Sequence, residues 1–285
     1  MAEENQTIKI HVMHCGKMLV TPRMPDNGKI TLRSTVGGLF TPESKRIELP
    51  VSCYLIEHPK GKVLIDTGFC REISPDGVYD EKAAKSVMPG YLVKYYHPWV
   101  EKGCTVVEKL AEKGLKPEDL DIVVFSHLDV DHMSGIRSVQ NAKRLMVAEE
   151  ESYWTSRFVF RAREPWYMWL DVDIERYWYR GTGDGPAWWS YDLFGDGTVK
   201  FVNLPGHTTG QAGVKIENNG KFVILSSDAA YNENSWRDMI VPGYGFDSVG
   251  MRRSLKWVRE QSMMPNCVAS IANHDPEVKE QIIVL

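Results

Sequence analysis

Cysteine is scarce in this chain, and its five occurrences (Cys15, Cys53, Cys70, Cys104, Cys267) include no CxxC pair. An odd number at scattered positions excludes a disulfide framework and a thiolate metal site, so most should be small buried apolar residues. Long hydrophobic runs are missing too. No stretch approaches 18 apolar residues, and the opening Met-Ala-Glu-Glu-Asn-Gln has neither a basic nor an apolar segment. Neither a membrane span nor a signal peptide is expected, which points to a cytoplasmic protein with no membrane partner. An excess of positive charge is also absent: 34 basic against 38 acidic residues give a net charge of −4. That balance leaves nothing to neutralise a phosphate backbone, so nucleic acid is not an expected partner and a small-molecule substrate is. No compositional break or long linker divides the 285 residues, and one domain over 1–285, built of two similar layers, is expected.

What the chain does have is a dense cluster of metal-ligand types, Ser126-His127-Leu128-Asp129-Val130-Asp131-His132. Imidazole suits zinc, iron and nickel, while carboxylate suits manganese and magnesium as well. The cluster follows Ile122-Val123-Val124-Phe125, a short β-branched apolar run of the kind buried on both faces of a sheet. Three more runs end in the same way. Lys200–Leu204 leads into Pro205-Gly206-His207, Phe222–Leu225 into Ser226-Ser227-Asp228, and Val268–Ala272 into Asn273-His274. Sites in layered α/β folds form at loops beyond strand ends, so four such endings point to one shared site. A hairpin, Cys53–Glu57 and Val63–Ile65 around Pro59-Lys60-Gly61, delivers Asp66-Thr67-Gly68. Val100, Cys104, Val107, Leu110 and Ala111, between Pro98 and Gly114, have the spacing of an amphipathic helix. His11, His14, His58 and His97 lack a strand-end position and are read as structural or surface residues.

With Asp66-Thr67-Gly68, the His127 to His132 cluster, Gly206-His207, Asp228 and His274, the chain resembles the metallo-β-lactamase superfamily. Within it, Pro50–Leu55, Leu204–Gln211, Asp228-Ala229-Ala230-Tyr231 and Met251–Leu255 are most similar to the N-acyl-homoserine lactonases. The resemblance implies a four-layer αβ/βα sandwich of mixed α/β class with two divalent metal ions at one edge, zinc first, manganese or iron as alternatives. One ion would take His127, position 129 and His207, the other Asp131, His132 and His274, with Asp228 bridging. Asp66 would orient a histidine from behind. Tyr231 would stabilise the carbonyl oxygen, and Asp131 would also pass a proton to the leaving alkoxide. The implied activity is opening of a small lactone by metal-bound hydroxide, an N-acyl-homoserine lactone being the first choice. Another ester, a thioester or a β-lactam is the alternative substrate, and a metal-poor binding or sensing protein the alternative function.

The chain departs from the family pattern His-x-His-x-Asp-His at Asp129. Three outcomes are open: Asp129 ligates directly, it is too short and leaves a mononuclear site, or metal and activity are lost. Between the cluster and His207 lies an aromatic-rich insert, about 150–190, holding six of the nine tryptophans (Trp154, Trp166, Trp169, Trp178, Trp188, Trp189). It reads as a helical subdomain that packs on itself or on a second copy, or as a lid over the substrate; Arg157, Arg161 and Arg163 within it are candidate carboxylate binders.

Overall fold

The computed structural model describes residues 7–156 and 165–285. Its first sheet contains β1 (Lys9–Val20), β2 (Ile47–His58), β3 (Gly61–Ile65), β4 (Pro98–Trp99), β5 (Ile122–Phe125), β6 (Leu145–Ala148), β7 (Glu175–Tyr177) and β14 (Gln281–Val284). The second contains β8 (Arg180–Gly181), β9 (Trp189–Asp192), β10 (Val199–Asn203), β11 (Ala212–Asn218), β12 (Lys221–Leu225) and β13 (Cys267–Ile271). Their orders are β14-β1-β2-β3-β5-β6-β7, with β4 on β1, and β13-β12-β11-β10-β9-β8. The pairs β3–β5, β5–β6 and β12–β13 are parallel, which lets neighbouring strands end on the same edge.

Side-chain alternation sorts the apolar residues into three interfaces. Ile122 and Val124 of β5 meet Val199, Phe201, Val214 and Val223 of the opposite sheet. Val123 and Phe125 point the other way, onto Val106 and Leu110 of the helix Val106–Glu112. On the far side, Val202 and Ile224 pack against Met251, Leu255 and Val258 of the helix Ser248–Ser262. The result is the expected helix, sheet, sheet, helix layering, and it explains why β5 is apolar throughout.

The helix expected from Val100 onward begins later. Pro98–Trp99 instead forms β4, and Thr105 caps the helix by accepting from Glu108 N–H while the Glu108 carboxylate accepts from Thr105 N–H. That reciprocal cap fixes the start more firmly than the apolar spacing could. Of the five cysteines, Cys15 and Cys53 are buried as expected, whereas Cys70, Cys104 and Cys267 are only half-buried.

The insert is not the expected helical subdomain. Among its described residues, helix is confined to Glu149–Ser156 and a 3-10 turn at Trp166–Met168, after which β7 extends the first sheet and β8–β9 the second. The alternation in Glu175-Arg176-Tyr177-Trp178-Tyr179, followed by a glycine-rich turn, favours strand over helix. Tyr177 and Tyr179 are buried between the sheets, while Trp178, Trp188 and Trp189 are exposed. Arg157, Arg161 and Arg163, and the side chains of Trp154 and Trp166, lie outside the described residues.

A strap over residues 21–46 crosses from β1 to β2. Arg46 anchors it: the buried guanidinium donates to the carbonyls of Leu19, Gly38, Thr41, Lys94 and Tyr95 at 2.7–3.2 Å, using every donor it has. No helix among the described residues is long and apolar enough to cross a membrane.

Phe201 sits fully buried between the sheets, so Phe201→Ala is expected to cost about 3–5 kcal/mol of stability by cavity formation. Denaturant titration should show the midpoint falling with little change of slope.

Candidate metal centre

Each strand end delivers its residue to one edge of the sandwich. His127 follows β5, and Asp131 and His132 lie in the one-turn helix Val130–Met133, for which Asp129 is the N-terminal flanking residue. His207 follows β10, Asp228 follows β12 and His274 follows β13. All seven residues are buried, the most accessible at 3%. Their ligand atoms form three overlapping groups, each within 4.8 Å: His127, Asp129 and His207; His127, His132 and Asp228; Asp131, His132 and His274. Asp129 Oδ2 lies 3.0 Å from His207 Nε2 and 3.7 Å from His127 Nε2. The aspartate is therefore long enough to share a ligand group with both histidines.

Glycines make the close approaches possible. Gly206 has φ +137°, and a Cβ there would lie 2.2 Å from Met251 N. Gly68, at φ +63°, would bring a Cβ within 2.4 Å of the Cys15 carbonyl, so only glycine closes the turn behind Asp66.

The outer nitrogens of the four imidazoles fix their tautomers. His207 Nδ1 is 3.2 Å from the Tyr244 carbonyl and His274 Nδ1 is 2.8 Å from the Pro50 carbonyl. A carbonyl can only accept, so both Nδ1 atoms carry the proton. His132 Nδ1 meets the Asp66 carboxylate at 2.9 Å. Ser126 donates its hydroxyl proton to Asp66 (2.8 Å), which leaves its two lone pairs for His127 Nδ1–H (3.1 Å) and the Ser227 hydroxyl (3.0 Å). In the neutral rings every Nε2 therefore turns a lone pair inward, toward carboxylate oxygens. Such acceptor pairs repel unless a second proton or a cation sits between them.

Burial and the neighbouring charges compete at each of these groups. Burial opposes charge on His132, but Asp228, Asp131 and Asp66 outweigh it and raise its pKa well above the ordinary value. The same competition, with Asp228 prevailing over burial, raises His274. Burial would raise Asp228 too, yet His274 and His132 hold it well below the usual carboxylate range, while burial pushes Asp131 up. Burial and the neighbouring His132 depress His127 to about 4. His127 Nε2, His132 Nε2 and Asp228 Oδ1 are nevertheless buried without a hydrogen-bond partner. The donor set fits divalent metal ions: four imidazole nitrogens with fixed tautomers, three carboxylates, and inward atoms left for coordination.

Known proteins give the same picture. A family model described as the metallo-beta-lactamase superfamily matches residues 46–265. The chain belongs to the metallo-β-lactamase superfamily. Curated relatives include the N-acyl homoserine lactonase AttM of Rhizobium radiobacter, 29% identical over 236 residues, covering 81% of this chain and 83% of the relative. An N-acyl homoserine lactonase of Bacillus cereus is 28% identical over 235 residues, with the same coverage. Among solved structures, AiiA of B. thuringiensis with N-decanoyl-L-homoserine bound at its active site aligns with TM-score 0.72 and 23% identity over 94% of each chain. AidC, a dizinc quorum-quenching lactonase, aligns with TM-score 0.63 and 13% identity over 95% of this chain and 88% of its own. The superfamily fold implies divalent metal ions at this edge of the sheets.

The structure brings together the seven candidate ligands, Asp66 behind His132, and Tyr231, whose ring lies 4.9 Å from that of His274. His11, His14, His58 and His97 stay apart, bonded or stacked with Glu57, Ser52, Phe194 and Tyr79. His97 is the left-handed C-cap of the helix Gly90–Tyr96. Sequence reasoning missed the supports. Glu151, fully buried, accepts from Leu128 N–H (3.1 Å) and from the Thr208 hydroxyl (2.6 Å), tying the His127–Asp129 segment to the His207 loop. Gln211, with its amide oxygen turned inward, accepts from Asp228 N–H (3.2 Å) and Ala229 N–H (2.6 Å). Ser126 and Thr208, each adjacent to a histidine, were the available signal; nothing in the sequence marks Glu151 among three consecutive glutamates.

Glu151→Ala would leave the Leu128 and Thr208 donors without this carboxylate. Affinity for metal at the His127–Asp129–His207 group should fall about 10–100-fold, read by competition with a chromophoric chelator. Glu151→Gln, which keeps one acceptor, should fall less.

Proposed function

We propose that the protein is a metal-dependent lactonase that opens N-acyl-homoserine lactones. The named relatives across four-fifths of the chain support the substrate class. The observation that carries the reading to chemistry is Tyr231 standing beside His274 at the edge of the ligand cluster. Two divalent ions, zinc first with manganese or iron as alternatives, would when bound supply a hydroxide nucleophile at neutral pH and polarise the lactone carbonyl.

In this reading the first metal group is His127, Asp129 and His207, the second Asp131, His132 and His274, with Asp228 between them. Burial, followed by the charges of Asp228 and Asp131, pushes the Tyr231 phenol well above its ordinary value. It therefore remains a proton donor, able to hydrogen-bond the carbonyl oxygen as negative charge develops. Asp131, ionised as a ligand, would take the proton that the attacking hydroxyl gives up once its oxygen is bonded to the carbonyl carbon, and pass it to the ring oxygen as the bond from that oxygen to the same carbon breaks. Asp66 and Ser126 do not touch substrate; they keep His132 and His127 turned inward. Asp129 makes the centre less positive: two divalent ions, three carboxylates and a hydroxide sum to about zero, against about +1 with a neutral ligand there. Harder ions gain on zinc accordingly. Exposed Trp178, Trp188 and Trp189 support contact of the insert with a second copy.

The reading is tested by acid release from N-acyl-homoserine lactones, beside a panel of other esters, thioesters and β-lactams. Tyr231→Phe should lower kcat about 100-fold while leaving metal content unchanged. Ring opening of none of these compounds by metal-loaded protein would overturn the proposal and favour a binding or sensing role. Protein purified without added metal should carry about two equivalents of transition metal, and Asp129→His should raise its preference for zinc over manganese; fewer than about one equivalent would defeat direct ligation by Asp129.

A further inference from the structure

The strap that Arg46 anchors presents an exposed apolar face. Its short helix Leu32–Gly37 and following 3-10 turn Gly38–Phe40 place Leu32, Val36 and Phe40 at intervals of four, on one face. Among the described residues that face is open: Leu32 and Phe40 are each 78% exposed and Val36 39%. Apolar exposure continues onto the adjoining segment, where Val249 is 61% and Phe246 43% accessible. The two segments are joined by Ile30 N–H donating to Ser248 Oγ (3.0 Å) and Gly243 N–H to the Met24 carbonyl (2.8 Å).

Charge around this face runs against the composition of the chain. The strap, residues 21–46, carries five basic side chains (Arg23, Lys29, Arg33, Lys45, Arg46) and two acidic ones (Asp26, Glu43), a net of +3 in a protein of net −4. Arg46 spends its donors on carbonyls and Lys17 pairs with Glu48 and Glu101. Lys29 and Arg33 are exposed on the same strap, Lys94 lies over the Phe40 ring at 5.7 Å, and Arg252 reaches the Gly28 carbonyl at 3.4 Å. Among the carboxylates near the strap, Asp247 caps the helix Ser248–Ser262 and Asp26 accepts from Asn232 at 3.4 Å, while Glu43, with Asp80 and Glu81 close by, marks the end of the strap next to β2.

We infer that this face docks on an anionic lipid surface. A second copy is the poorer occupant, because a two-fold interface sets the same patch against itself and would oppose one cationic strap to another. An anionic bilayer satisfies both features at once: its headgroups attract the lysines and arginines, and its outer acyl region accepts Leu32, Val36 and Phe40. This is contact with a membrane surface, compatible with the absence of a spanning segment. The strap packs on the segment whose Tyr244 carbonyl holds His207, so docking would bring one rim of the metal centre close to lipid. The inference is independent of which ring the enzyme opens.

The test is cosedimentation of the full metal-loaded chain with vesicles of about one-third phosphatidylglycerol in phosphatidylcholine, or of phosphatidylcholine alone. Binding is expected only to the anionic vesicles and should be lost in about 0.5 M salt. Lys29→Glu and Arg33→Glu should each weaken it about fivefold or more, and Leu32→Ser with Phe40→Ser at least tenfold. Turnover of a short-chain soluble lactone without vesicles should be unchanged in all of them, which also shows that the variants fold. Equal binding to both vesicle types, or no binding, would overturn the inference, as would a dimer in solution that the Leu32/Phe40 variant dissociates.

Discussion

Four imidazoles and four carboxylates, counting Asp66, are held out of water at one edge of a sandwich, and the rest of the structure answers to the cost of keeping them there. An isolated buried charge is expensive, so each group must be paired, protonated or coordinated. The solution is directional. Every imidazole spends its outer nitrogen on a fixed acceptor, two of them carbonyls that tolerate no other tautomer, and the inner nitrogens face the carboxylates. Ser126 is the hinge of this arrangement, with one proton and two lone pairs all committed.

Local backbone strain accompanies that order. Asp66 at φ +61° and Ser227 at φ +47° both lie in the left-handed region that non-glycine residues seldom adopt, and both bond to Ser126. Strain of this kind persists where surrounding contacts over-determine it. Here the over-determination comes from the parallel pairing of β3 with β5 and of β12 with β13, which sets four loops side by side, and from Glu151, which clamps the loop after β5 to the loop after β10.

Much of this was legible in the chain because strands that end in His or Asp announce themselves by composition. Ile122–Phe125, buried on both faces, had to be apolar, so the change to Ser126-His127 was abrupt. The supporting residues were not legible for the opposite reason: a serine, a glutamate or a glutamine acquires its role only from what lies across the loop. The insert misled because aromatic content does not distinguish helix from strand, and its buried Tyr177 and Tyr179 alternate with exposed Trp178 in a way that only the neighbouring strands determine. At Asp129 family pattern and side-chain reach pulled in different directions; the structure sets its carboxylate 3.0 Å from His207, in one candidate ligand group with that residue and His127.

The ligands enter the site in chain order from His127 to His274, on strands belonging to both sheets, and no two adjacent strands suffice to complete either metal group. Local folding therefore cannot create the centre. Each half-site depends on contacts separated by long stretches of chain, which form late in folding. Metal uptake should in consequence report on global assembly rather than on any one loop, and ions offered to the nascent chain would find only fragments of their binding site until the second sheet has closed over the first.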